Sequence, residues 1–139
     1  MNPMLWIGVL LAGITALPLF AGEVTVIANP ELQVSEISAD ELRAVFLGTK
    51  TSLKGTGVVQ PVLKRSGPGL TEFSSEYLGK SESALRTYYR SLVFTGKWSM
   101  PVTLDSDAEV IAYVARTRGA IGFVNGGHVG QGVRAIKVK

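Results

Sequence analysis

Residues 64–73 read KRSGPGLTEF, and what stands on either side of them decides the fold. VVQPVLK (58–64) before them is an apolar, β-branched run in which Pro61 marks a bulge or an edge position. LTEFSSEYLG (70–79) after them sets Phe73, Tyr77 and Leu78 at helical spacing and stops at Gly79. The unit is a strand, a tight Gly-Pro-Gly turn and a helix. An arginine, hydroxyls and glycines at the mouth of a helix are also the ingredients of an oxyanion cradle.

The same alternation continues in both directions. EVTVIANP (23–30) is a strand closed by an Asn-Pro turn. ISADELRAVFLG (37–48) is a helix opened by the capping box of Ser38 and Glu41, with Leu42, Val45 and Phe46 on one face and Gly48 at its end. TKTSLKGTG (49–57) reads as a polar loop. Downstream, SESALRTYYRSLVF (81–94) is a helix with Leu85, Tyr88, Tyr89 and Leu92 on its apolar face, followed by the loop FTGKWSMP (94–101) and a short strand, VTL. Ser106 and Glu109 form a second capping box ahead of AEVIAYVAR (108–116), whose Val110, Ile111 and Val114 face inward. GAIGFV and VRAIKV are strands, and the glycine-rich NGGHVGQG (125–132) between them reads as a hairpin turn, because a strand pattern and no helix follows it. The order β-α-β-α-α-β-α-β-β predicts the α/β class, a mainly parallel sheet with helices on both faces. Ligand sites in such sheets gather where strands end and helices begin, which is the position of KRSGPGLTEF.

The chain of 139 residues, 46% hydrophobic and 18% charged, is one domain with a core of its own. MNPMLWIGVLLAGITALPLFAGE holds no charged side chain before Glu23, and Pro18 ends its apolar run. That outline predicts a signal peptide over residues 1–21, cut after Ala21 or Gly22, and an exported, periplasmic domain over 22–139. Gly8, Gly13 and Pro18 interrupt the run below the ~20 residues of a spanning helix, so no stable membrane anchor is expected after cleavage. The absence of cysteine excludes disulfides, thiolate metal sites and cysteine nucleophiles. A net charge of +3 favours anionic small molecules or acidic surfaces, and its scatter along an exported chain argues against nucleic acid.

Candidate sites are few. His128, the single histidine, stands in a turn with no second histidine or nucleophile elbow beside it. The acidic pairs Asp40/Glu41 and Asp105/Asp107 sit at helix starts, where capping and the helix dipole account for them. Neither an enzyme nor a cofactor is expected. Lys50, Lys54, Lys64 and Arg65 flank two loops that would share one end of the sheet, with Lys54 and Lys64 adding field. In the functional reading Arg65 forks onto an oxyanion, Ser66 and Thr71 add hydroxyls, and the amides around Gly69 and Leu70 add donors. In the other reading the segment is only a turn, Ser66 or Thr71 caps the helix, and Arg65 is solvated.

VIANP, VFLG, RSGPGLTEF, the YLGKS helix, FTG and RTRGAIGFV together resemble the phosphate-binding subunits of ABC transporters, and more closely the small single-lobe PBP-like proteins related to them. The resemblance runs from about Val24 to about Val124. It implies one lobe of a type II periplasmic binding protein, phosphate or another small oxyanion as ligand, and an ABC permease or another envelope protein as partner. In that family the loop reads Arg-Ser/Ala-Asp-Gly-Ser-Gly-Thr; Arg65 and Thr71 match it, and Phe73 matches the helix aromatic. Gly69 stands in place of the serine, Leu70 in place of the second glycine and Gly67 in place of the aspartate, while Leu53 replaces a common tryptophan. The resemblance thus implies a cradle with a leucyl side chain in it and weak or vestigial anion contact through Arg65, Ser66, Gly69 and Thr71. The alternative is a ligand-free interaction module in the envelope, with Tyr88, Tyr89 and Trp98 as its candidate surface.

Overall fold

The computed structural model describes residues 24–98, 100–126 and 129–139; the expected signal peptide and His128 lie outside them. The chain runs β1 (Val24–Ala28), β2 (Glu36–Ile37), α1 (Ala39–Phe46), β3 (Ser52–Leu53), β4 (Gly57–Val58), β5 (Gln60–Lys64), α2 (Pro68–Phe73), a π-helical turn (Ser74–Leu78), α3 (Glu82–Phe94), β6 (Val102–Leu104), α4 (Asp107–Arg116), β7 (Ala120–Asn125) and β8 (Arg134–Val138). Six strands form one sheet in the order β2-β8-β1-β7-β5-β6. β1 is antiparallel to β7 and β8, and the pairs β2–β8, β5–β6 and β5–β7 are parallel. Five strands therefore point one way and β1 alone runs against them, giving the mainly parallel α/β sheet that the element order predicts.

The hairpin expected at NGGHVGQG does not form. β1 lies between β7 and β8 and pairs with both, Val24 opposite Asn125 and Val26 opposite Ile136. The glycine-rich segment is a crossover instead. It passes α4 at Gly130, where an added Cβ would come within 2.6 Å of the Ile111 side chain. A strand's periodicity marks it as a strand and says nothing of its neighbour. The polar loop at 49–57 also acquires structure, closing as the two-residue ladder β3–β4, and the short β2 joins the sheet edge beside β8.

Alternate residues of β5 and β7 feed two cores. Leu63, Ile121 and Phe123 face α1, α2 and α3, while Val62, Ala120 and Val124 face α4. At the centre of the larger core Phe73 stacks on Phe123 (centroids 4.1 Å apart) and meets Phe46 edge-on at 4.7 Å. The expected capping boxes are present: Ser38 Oγ accepts from Glu41 N–H and Ser106 Oγ from Glu109 N–H, each at 3.1 Å. Ser81 caps α3 in the same way.

The tyrosines of α3 belong to this core and form no free surface. Tyr89 is buried and donates to Phe46 O at 2.6 Å, Tyr88 donates to Leu47 O, and burial raises the Tyr89 phenol above its usual pKa. Trp98 is half-buried against Gly48, where a side chain would collide with its ring at 2.6 Å. The aromatic surface expected at these three residues is therefore absent, because their rings pin the end of α1.

Candidate functional site

The ends of β5, β6 and β7 meet the starts of α2 and α4 in one polar junction. Lys64 closes β5 with its side chain on the α4 side, only 9% exposed, and its ammonium lies 2.8 Å from Asp107 Oδ1. That oxygen has no hydrogen-bond donor aligned on it, so charge alone holds the contact. The other oxygen of Asp107 accepts from Asn125 N–H at 3.1 Å, tying α4 to the end of β7. Asp107 is the first residue of α4, where a carboxylate also meets the positive end of the helix dipole.

Arg65 continues the β5 ladder by donating its N–H to Leu104 O at 2.8 Å. Its guanidinium turns outward and donates from Nε to Asp105 Oδ1 at 2.6 Å, and both side chains are exposed. That hydrogen bond and the charge of Asp105 raise the pKa of Arg65, keeping it a cation. Gly67, at φ 105°, makes the turn that an L side chain resists. Gly69 is buried, and a Cβ there would lie 2.0 Å from Asn125 Oδ1. Thr71 Oγ1 lies 3.3 Å from Gly67 O and 3.2 Å from Glu82 Oε2, a donor already shared between two acceptors. Ser66 is exposed.

The four expected residues thus share one loop, and the loop's cations are answered from within the protein. Leu70 does not occupy the cradle as its sequence position implies; it is 4% exposed and packs in the main core. Lys50 and Lys54 do not join Lys64 and Arg65 either. The β3–β4 hairpin leads into the start of β5, the opposite end from Arg65, and Lys50 pairs with Glu41 at 3.2 Å. Sequence reasoning missed Asn125 and read Asp105 and Asp107 only as helix-start residues, without their cationic partners. Capping of α4 needs only Ser106, so the two aspartates around it were the available signal.

A second recess, of about 380 Å³, opens between α3 and the β5–β6 edge. Leu63, Leu70 and Leu85 form its floor, Val93 and Met100 its mouth, and Arg86 and Arg90 border it. Phe94, the last residue of α3, is 91% exposed.

With this geometry in view, comparison with known proteins places the fold. No protein-family model and no curated protein matches the chain. Solved structures do. An ABC-type phosphate transport receptor from Vibrio cholerae superposes with a TM-score of 0.65 at 17% identity, over 83% of this chain and 45% of that one. A putative phosphate ABC transporter substrate-binding protein with bound phosphate from Clostridium perfringens gives 0.64 at 18%, over 83% and 44%. PstS from Borrelia burgdorferi gives 0.64 at 14%, over 84% and 47%. The fold is that of a phosphate-binding-protein lobe. The chain spans less than half the length of these structures. Among the lobe's described residues no helix is long and apolar enough to cross a membrane.

Proposed function

We propose that the chain is an exported, periplasmic solute-binding-type lobe whose oxyanion contact, through Arg65, Ser66, Gly69 and Thr71, is weak: a vestigial cradle, and no catalyst. One observation carries the reading. The carboxylate of Asp107 stands at the junction of strand ends and helix starts, held by Lys64 at 2.8 Å and by the Asn125 amide at 3.1 Å. A phosphate or sulfate arriving there meets Asp105 and Asp107 as well as the cations they neutralise. The Arg65–Asp105 pair is exposed and screened by water, so it opens readily, and Arg65 remains accessible to an anion at high concentration.

The test is a phosphate titration of the purified protein at constant ionic strength, followed by amide NMR shifts. Shifts confined to residues 65–71, saturating in the millimolar range and lost in Arg65→Ala, are expected. Micromolar affinity, or shifts that chloride reproduces equally, overturns the reading.

A second reading, a lobe used for docking, draws support from the exposed apolar side chains Val93 and Met100 at the recess beside α3. Exposed apolar groups clustered at a concavity mark contact surfaces more often than isolated ones do.

A further inference from the structure

We infer that the recess between α3 and β6 receives an acidic amphipathic segment of a partner protein, apolar side chains inward and a carboxylate against Arg90. The inference rests on the docking reading and names the partner's chemistry.

Strand addition is the first mode to weigh, because β6 is the sheet's edge. Arg65 N–H bonds Leu104 O, so the backbone groups of Leu104 and Val102 face β5 and, within β6, only those of Thr103 face outward. Pro101 offers no N–H, and Asp105 N–H is taken by Glu109 Oε2 at 2.9 Å. The edge is short and blunted at both ends. Recognition therefore falls to the side chains of the recess, as when an amphipathic segment lays its apolar face in a groove.

Charge selects the occupant. Lys64 and Arg65 are answered by Asp107 and Asp105, and Arg86 by Glu82 at 2.8 Å. Arg90, one turn along α3 from Arg86, pairs with no carboxylate among the described residues. An apolar floor beside an unanswered guanidinium suits a leucyl or phenyl anchor flanked by Asp or Glu. A second copy docking through the same lining about a two-fold axis would offer Arg90 only the carboxylate of Glu82, which Arg86 already holds. A flat anionic membrane reaches the protruding Phe94 and leaves the concave floor empty.

The experiment pans a displayed library of random dodecapeptides against the immobilised full protein and measures the recovered peptides by fluorescence anisotropy. Recovered peptides are expected to combine apolar and acidic residues, and to lose about tenfold or more in affinity (about 1.4 kcal/mol per tenfold) with Val93→Glu and with Arg90→Glu. Both positions are exposed, and circular dichroism verifies that each variant folds. Peptides that need Val93 but show no acidic enrichment and ignore Arg90→Glu overturn the partner's chemistry and leave the docking reading standing. Binding indifferent to Val93→Glu, or no recovered peptide, overturns both. Parallel arms with phosphatidylglycerol vesicles and with sedimentation of the protein alone complete the test; vesicle binding without peptide binding, or a dimer abolished by Val93→Glu, overturns the inference in favour of a membrane or a second copy.

Discussion

The polar junction at the end of β5 and the apolar recess beside α3 lie within a few residues of each other and are finished to different degrees. In the junction the fold itself answers the charges: Lys64 has Asp107 as counter-ion, and Asp107 has Lys64 and the backbone N–H of Asn125. In the recess Leu63, Leu70 and Leu85 lie below an opening bordered by Val93, Met100 and Arg90. Ligand capture in water needs groups that folding leaves unsatisfied, since a donor already bonded must break one contact to make another. By that criterion the junction is largely closed, and the recess is open.

Substitutions test this contrast in descending order of effect. Lys64→Met leaves Asp107 Oδ1 facing no cation and is expected to lower stability by about 1–3 kcal/mol, toward the lower end because Asp107 is about a third exposed. Urea unfolding measures it, and Asp107→Asn in the same chain should recover most of the loss. No loss in the single variant would break the view of the junction as a charge-paired unit. Gly69→Ala pushes a methyl against the Asn125 side-chain amide, which can swing aside, and should cost about 1 kcal/mol. Asn125→Ala relieves that collision, so the double variant should sit above the sum of the two singles.

Tyr89→Phe probes the recess side, since Tyr89 also lines it, and removes the bond to Phe46 O at a cost of about 1 kcal/mol at neutral pH. Its pH dependence has a definite sign. The folded phenol titrates above the unfolded value of 10.0, so above that pH the unfolded chain releases a proton that the folded one retains. Wild-type stability should therefore fall as pH rises past 10, and the part due to Tyr89 should vanish in Tyr89→Phe. Smallest of all, Arg65→Ala and Phe94→Ser should leave the urea midpoint unmoved, as both side chains are exposed. They sharpen the comparison by function: Arg65→Ala is expected to remove the proposed weak phosphate response, and Phe94→Ser to leave it intact.

Much of the fold was legible because helix signals are local. Ser38, Ser106 and Gly79 cap or stop the helices where their spacing said they would, with Gly79 at φ 66°. Phe73 and Leu85 are buried as their periodicity required. The insertion of β1 between β7 and β8 was not legible, since strand partnership depends on residues nearly a hundred positions apart. Arg65, Ser66, Gly69 and Thr71 were found as one loop, but Asp105 and Asp107 were read as caps alone. Their distances to Arg65 and Lys64 come from β6 and α4 being laid beside β5, which no spacing in the sequence expresses.

The sequence by itself determined an α/β domain, the caps of α1 and α4, the core face of α1 and the place of KRSGPGLTEF between a strand and a helix. Backbone capping and apolar periodicity act over a few residues, so they can be read along the chain. Only the tertiary structure decided that the cations of this loop are already neutralised, that Leu70 belongs to the core, and that Phe94 stands exposed where Tyr88 and Tyr89 do not. Charge pairing and burial depend on which surfaces the sheet brings together, and that is settled by long-range packing.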